Sequence, residues 1–171
     1  MSVTSPTYEW QELASRYYHR RDVYEMGWDI DLQKHLVAVA PQGGPIALTR
    51  DDRKIVLLGK NSTRPAISIY SPAGRKLANI PWSRGRIVGF DWVTGGGNGA
   101  EQWLAVLVDD GEVYLYSVHG EQQPMQFSMG EECAHEGVLR CCFWNGGLAL
   151  ITKLTRTLLV PTSFSLPNPV P

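Results

Sequence analysis

Ile69-Tyr70-Ser71-Pro72-Ala73-Gly74 returns further along the chain as Leu115-Tyr116-Ser117-Val118-His119-Gly120. The two tyrosines are 116 − 70 = 46 residues apart. In each copy a short β-rich run enters a Tyr-Ser-x-x-Gly turn and a second short run leaves it. A period of roughly 40–50 residues in an all-β pattern marks the blades of a propeller. One blade cannot bury both of its faces, so the repeat implies a larger ring.

Working outward from the repeat, the chain divides into strand-like runs separated by turn residues. Residues 36–40 read as a buried strand, Pro41-Gln42-Gly43-Gly44 as a turn, and the run from Pro45 to Thr49 as the returning strand. Residues 66–70 and 76–80 flank the first Tyr-Ser-x-x-Gly turn. A strand over about 23–28, ending on Trp28, would open this first blade, near 23–82, and 55–58 could add another. The second blade, 84–130, takes strands over 87–92, 103–108, 113–117 and 126–129. Gly95-Gly96-Gly97-Asn98-Gly99 serves as a loop and Asp109-Asp110-Gly111 as a hairpin turn. The third, 136–164, takes strands over 138–144, 148–152 and 157–160, with Asn145-Gly146-Gly147 as a turn. Trp92 and Trp144 each end a first strand, 144 − 92 = 52 residues apart. The prolines of the tail, 165–171, exclude a regular fourth strand. The N-terminal segment, 1–22, carries Trp10, Leu13, Ala14 and Tyr17 at helical spacing, which predicts one short helix.

The reading is therefore an all-β chain forming a partial β-propeller of about two to three blades built from four-stranded sheets. Its own residues do not close a ring, because propellers need at least about four blades. Trp28, Trp92 and Trp144 are expected in blade packing with Tyr70 and Tyr116, and Gly43, Gly44, Pro45, Gly74 and Gly120 in the turns.

Composition excludes several function classes. The net charge is −1 over 171 residues, which gives no field for nucleic acid or anionic lipid. Arg16, Arg20 and Arg21 form a short basic cluster beside aromatics and read as a solvated face. The N-terminus lacks the pattern of a signal peptide, and no apolar run approaches the ~18–20 residues that span a bilayer. The three cysteines are Cys133, Cys141 and Cys142. Cys141 and Cys142 point to opposite faces of a strand and cannot easily pair, which suits a reducing compartment.

No constellation carries chemistry. Cys133-Ala134-His135 is too tight for a zinc pair and Cys141/Cys142 diverge, so the thiols read as buried or half-buried. The glycine run at 95–99 lacks the Gly-Lys-Ser/Thr ending of a phosphate loop. Asp109, Asp110 and Glu112 belong to a turn before they could be a carboxylate pair. Glu131 and Glu132 read as a solvated loop between blades. His19, His35, His119 and His135 are scattered, without a nucleophile in triad context. The residues point to no enzyme, cofactor or metal, and an unrelated small β-sheet binding module is the other reading they permit.

Several stretches together resemble a known family: Tyr24-Glu25-Met26-Gly27-Trp28-Asp29, Ala40-Pro41-Gln42-Gly43-Gly44-Pro45-Ile46-Ala47-Leu48, Ile69–Gly74, Pro81-Trp82 and Phe127-Ser128-Met129-Gly130. The chain is similar, over about residues 10–160, to the N-terminal propeller of subunit sixteen of the class C vacuolar protein sorting proteins. The resemblance implies a tethering scaffold of the HOPS and CORVET complexes, which bridge membranes before fusion at endosomes and the vacuole or lysosome. It implies class C sorting subunits as partners, with the contact to a Sec1/Munc18-type subunit in a C-terminal helical solenoid that this sequence does not contain. It also implies a cytoplasmic location, peripheral on late endosomal and vacuolar or lysosomal membranes. On this reading the chain is a truncated piece of such a subunit.

Overall fold

A computed structural model describes residues 10–19, 30–51, 66–95, 101–144 and 147–161. A hairpin, β1 (Trp10–Leu13) and β2 (Arg16–His19), precedes three antiparallel sheets. The first contains β3 (His35–Val39), β4 (Ile46–Arg50), β5 (Ala66–Tyr70) and β6 (Lys76–Pro81) in sequential order. The second contains β7 (Ile87–Gly95), β8 (Glu101–Val108), β9 (Glu112–Tyr116) and β10 (Gln122–Ser128), also sequential. A short helix, α1 (Glu131–Glu136), leads into the third, made of β11 (Val138–Trp144), β12 (Gly147–Thr152) and β13 (Thr157–Pro161). Meandering sheets stacked face to face, with no closed barrel among the described residues, are those of a partial propeller.

Strand parity decides which side chains form the seams. In the first sheet Ala38 pairs with Ala47, Ala47 with Ile69, and Ile67 with Ile80. That face meets Phe90, Trp92, Leu104, Val106, Val108 and Tyr116 of the second sheet in one continuous core. The opposite face of the second sheet carries Val93, Trp103, Ala105, Leu107, Val113 and Leu115, and packs on Val138, Leu148 and Leu150 of the third. The second sheet is thus buried on both sides. The residues of β8 from Leu104 to Val108 are all 0% exposed, which explains why this strand is an unbroken apolar run rather than an alternation.

Two expectations are corrected. The helix predicted from Trp10, Leu13, Ala14 and Tyr17 is instead the β1–β2 hairpin, in which Leu13 pairs with Arg16. Ala14 and Ser15 form its loop with φ of 51° and 61°, the double left-handed geometry that matches hairpin twist. The apolar spacing there coincides with a helical period without reporting one. Glu131 and Glu132, read as loop, begin α1, which is bounded by Gly130 and Gly137 and buries Cys133. The expected strands over 23–28 and 55–58, Trp28, the 96–99 part of the glycine loop, residues 145–146 of the expected turn and the proline tail lie outside the described residues.

Candidate interaction surfaces

The two Tyr-Ser-x-x-Gly segments fold into the same turn. Gly74 N–H donates to the Ser71 carbonyl at 2.9 Å, and Gly120 N–H to the Ser117 carbonyl at 2.9 Å. Each serine Oγ also accepts from the residue that follows the glycine, Arg75 or Glu121, at 3.2 Å. Both glycines are left-handed, φ 78° and 80°, a conformation that costs other residues energy. A Cβ on Gly120 would sit 3.0 Å from the Ala78 Cβ, so the second turn lies against β6 of the first sheet.

A third turn of this kind joins β12 to β13. Thr155 N–H donates to the Thr152 carbonyl at 3.0 Å, and Arg156 N–H to Thr152 Oγ1 at 3.1 Å. Threonine replaces serine, and Thr155, φ 65°, stands where the others have glycine. The substitution of both signature residues hides the turn from a search for Tyr-Ser-x-x-Gly.

The remaining singled-out residues occupy separate places along the seams. Trp92 is 7% exposed and its Nε1 donates to the Ala38 carbonyl at 3.3 Å, a hydrogen bond from the second sheet to the first. Tyr116 is buried and meets Trp82 edge-on at 6.2 Å; burial pushes its phenol above the ordinary range. Trp82 Nε1 is satisfied by the Gly85 carbonyl at 2.8 Å. Gly43, φ 75°, closes the turn after β3. Pro45 accepts from Ala40 N–H at 2.9 Å. A Cβ on Gly44 would fall 2.7 Å from the Ala40 Cβ and 3.0 Å from Gln102 Oε1. Tyr70 ends β5 on the outer face of the first sheet, and Trp144 ends β11 with 42% exposure, on the face turned away from the second sheet. Trp92 and Trp144 therefore differ in kind: one is sealed between sheets, the other is presented outward.

The acidic residues near the second seam have structural partners. Asp109 Oδ1 accepts from Arg86 N–H at 3.2 Å, its own N–H donates to the Arg86 carbonyl at 3.0 Å, and its carbonyl accepts from Val138 N–H at 2.8 Å. It ties the start of β7, the β8–β9 turn and the start of β11 together. Asp110 Oδ1 accepts from Glu112 N–H at 3.0 Å, an Asx-type turn. Glu136, with a side chain only 10% exposed, pairs through Oε1 with Arg156 Nε at 3.0 Å, while Arg156 Nη1 reaches Glu132 at 3.1 Å. Cys133 is fully buried, and burial together with Glu132 and Glu136 pushes its thiol up, away from the reactive thiolate. Cys141 is half-buried and Cys142 exposed. No cluster of three or more His, Cys, Asp or Glu suited to a metal occurs among the described residues.

The two outermost sheet faces each present exposed apolar side chains, although Leu48 on the first is buried. On the first sheet, Val37 and Val39 are 44% and 56% exposed. The same side holds a cavity of about 570 Å³ bordered by Leu48, Arg50, Ala66, Ser68, Tyr70 and Asn79 among others. On the third, Trp144 and Ile151 are exposed, beside a cavity of about 260 Å³ lined by Arg140, Cys142, Ala149 and Thr157 among others. Sequence reading placed these strands but not their outward faces, because β3 and β11 are apolar on both parities and parity alone does not say which side is covered.

No helix among the described residues is long and apolar enough to cross a membrane. Residues 6–167 match the family model described as Vps16, N-terminal region. Among curated proteins, the chain is 38% identical over 156 residues to Protein VACUOLELESS1 of Arabidopsis thaliana, covering 90% of this chain and 18% of that protein. It is 31% identical over 169 residues to the probable vacuolar protein sorting-associated protein 16 homolog of Schizosaccharomyces pombe, covering 97% and 19%. To the homolog of Dictyostelium discoideum it is 27% identical over 155 residues, covering 90% and 18%. The chain thus spans about a fifth of the length of the curated relatives it matches. With nearly its whole length matched, and with stacked meandering sheets in the order the repeat predicts, the chain belongs to the family of the Vps16 N-terminal region.

Proposed function

We propose that this chain works as a protein–protein interaction scaffold in vacuolar protein sorting, as the propeller portion of a vesicle-tethering subunit of the HOPS and CORVET type. Its setting is transport from endosome to vacuole or lysosome and the membrane fusion that ends it. The observation that carries the reading is the family match over residues 6–167. The surfaces agree with it: the titratable groups of the seams are engaged in turns and ion pairs, and what the molecule offers outward is sheet face rather than a catalytic pocket. Function has to be argued from such surfaces, since propellers serve many tasks.

On this reading the partners are other class C sorting subunits, the chain is cytoplasmic, and it reaches late endosomal and vacuolar or lysosomal membranes peripherally through its complex. No catalytic step is assigned to it. The test is affinity isolation of the tagged chain, and of the longer product that contains it, from cells of its source. Sorting subunits recovered with the longer product in stoichiometric amount are expected. Their absence, with the product folded and soluble, overturns the tethering role. Hydrolase or transferase activity lost on changing Asp110 or His135 would overturn the non-enzymatic reading.

A further inference from the structure

The loop between the first and second sheets, residues 82–86, sets an arginine on an aromatic platform. Trp82 is buried, and its ring meets Tyr114 edge-on at 5.9 Å and Tyr116 at 6.2 Å. Its Nε1 donates to the Gly85 carbonyl at 2.8 Å, which fixes the loop around it. Arg84 is exposed and turns back, so that its guanidinium carbon lies 4.6 Å from the centre of the Tyr114 ring. Its Nη2 donates to Gln122 Oε1 at 2.7 Å, at the start of β10. The platform belongs to the first seam, whose two sheets both lie within the described residues.

Both groups that hold Arg84 are neutral. Arg86 and Arg156 are held by carboxylates instead, those of Asp109 and of Glu132 and Glu136. Among the described residues no carboxylate comes within ion-pair distance of Arg84. That includes Glu121, exposed beside Gln122, and Glu112, two residues before Tyr114 on the same face of β9. The amide oxygen of Gln122 orients the guanidinium without neutralising it. A guanidinium is a flat fork of five N–H donors that suits a carboxylate bidentately, and stacking on Tyr114 occupies its face rather than its edge. We propose that Arg84, on the platform of Trp82 and Tyr114, is a docking point for an acidic side chain of a protein partner, an aspartate or glutamate taken up along the open edge of the guanidinium. The proposal gives the scaffold reading above a contact point, and rests on that reading for the partner's being a protein.

The chemistry of the site selects this occupant. A free arginine has many rotamers, and holding it in place before the partner arrives removes part of the ordering cost of binding. Trp, Tyr and Arg are also the residues in which the binding energy of protein interfaces concentrates. A phosphate group fits less well, because phosphorylated motifs are read by clusters of arginines. Arg86, the arginine nearest in sequence, is already engaged by Asp109 at 3.9 Å and by the Val138 carbonyl at 3.5 Å. An anionic membrane calls for a run of basic residues, whereas Arg84 has Glu112 and Glu121 in its surroundings. Gln122 controls the availability of the site. A carboxylate in its place would satisfy Arg84 from within the chain.

The test is a titration of the 171-residue chain with an acetylated, amidated hexaglutamate peptide, at about 0.15 M salt so that distant charges are screened. Proton–nitrogen correlation spectra follow the Nε–Hε signal of Arg84, the side-chain amide of Gln122 and the backbone amides of β9. A saturable shift at all three is expected in the wild type. Arg84→Gln should raise the dissociation constant about fivefold or more, through loss of a charge-assisted bidentate pair. Gln122→Glu should raise it as much, with the Arg84 signal displaced before any peptide is added. This variant leaves Arg84 and its platform in place, so a purely structural role for the arginine would not predict the loss. Arg75→Gln removes the same charge from another exposed arginine and should leave binding unchanged. No saturable shift in the wild type overturns the proposal. So does an equal loss in Arg75→Gln, which would reduce the effect to net charge, and so does binding that Gln122→Glu leaves intact. Inorganic phosphate, or phosphatidylserine vesicles, shifting the Arg84 signal at lower concentration than the peptide would assign the arginine to another anion and overturn it too. The same spectra show whether each variant is folded. If Arg84→Gln is not, Arg84→Lys replaces it, keeping the charge but losing the flat fork, with binding about threefold weaker expected and unchanged binding overturning the proposal. The titration needs no sorting subunit, so its failure removes this docking point and leaves the scaffold role to the isolation experiment above.

Discussion

The indole of Trp92 is sealed in the first seam and gives its one hydrogen to the Ala38 carbonyl at 3.3 Å. Trp92→Ala removes both the packing and the bond, and large-to-small changes of buried aromatics cost on the order of 3–5 kcal/mol. Trp92→Phe keeps most of the buried area but gives up the indole hydrogen bond, at about 0.5–1.5 kcal/mol, the Ala38 carbonyl keeping its place opposite Ala47 in the β3–β4 ladder. Urea midpoints should therefore fall in the order wild type, Phe, Ala; equal midpoints for the two variants would show that the bond contributes nothing. Thr155 gives the opposite sign. It holds φ 65° in a turn whose two counterparts use glycine. Thr155→Gly relieves a left-handed strain of about 1–2 kcal/mol and adds about 0.5–1 kcal/mol of unfolded-state entropy. A net gain of about 0.5–1 kcal/mol should appear as a higher midpoint, whereas glycine at the exposed, ordinary position 154 should lower it.

Asp91 belongs to the same scale but acts through pH. It lies in β7 opposite Ala105, on the parity that faces the third sheet, and its Oδ1 accepts from Trp92 N–H at 2.8 Å. Burial pushes its carboxyl above the ordinary value of 3.8, and the hydrogen bond only partly opposes that. A carboxyl with a raised folded-state pKa favours folding when protonated, so its favourable contribution is full below 3.8 and is lost as pH rises through the folded value. At pH 7 the ionised group opposes folding. Asp91→Asn, which keeps the acceptor oxygen, should be more stable than wild type at neutral pH, with the advantage shrinking as pH falls through the carboxyl range. An advantage that grows on acidification would reverse the assignment.

At the scale of elements, the ion pair between Glu136, the last residue of α1, and Arg156 joins the helix to the β12–β13 turn. Glu136 Oε2 is buried without a hydrogen-bond partner among the described residues, so Arg156 is what offsets its charge. Arg156 is itself 56% exposed, and solvent screens the pair. Arg156→Ala should cost about 1–2 kcal/mol, between an exposed pair and a buried one broken from one side. Following it with Glu136→Gln should recover part of the loss, since the uncompensated charge is then gone; a further loss would place the energy in the packing of the guanidinium stem.

The elements also show what the sequence makes legible. Runs such as 87–92 and 138–144 read correctly as strands because β-branched and aromatic residues lie between glycine-rich turns, and β11 spans Val138–Trp144 as expected. The strands of the Tyr-Ser-x-x-Gly repeat are equally clear, since the turn needs its glycine. The helix α1 is not legible: with six residues and only Cys133 buried, it has no apolar stripe to show a period. The β1–β2 hairpin fails for the opposite reason, because four apolar residues fell at helical spacing while the loop used Ala14 and Ser15 in place of the usual Asn-Gly. Of the candidate surface, the sealed position of Trp92 could be anticipated, but the outward position of Trp144 could not. A register shift between Val138 and Arg140 changes the parity of β11, and nothing in composition announces a bulge.

For the molecule as a whole, the arrangement of the sheets sets which parts open first. The second sheet packs on another described sheet at both faces, the first and third at one face each. Amides of β8 lie in the centre of this stack, hydrogen-bonded on both sides to β7 and β9, and Leu104 to Val108 are 0% exposed. Amides of β3 lie in a sheet whose other face is exposed at Val37 and Val39. Opening β8 requires both seams to part, whereas β3 can open by releasing one. Hydrogen exchange of core strands follows global unfolding, and that of less covered elements follows cheaper local opening. Exchange measured by mass spectrometry should therefore be slowest over residues 104–108 and faster over 35–39 by about tenfold or more, each tenfold being about 1.4 kcal/mol of opening free energy. Trp92→Ala, by weakening the first seam, should speed β3 more than β12. Equal protection in all three sheets would mean that the seams open together as one cooperative unit, and protection greatest in β12 would mean that the second sheet is not the centre of the stack.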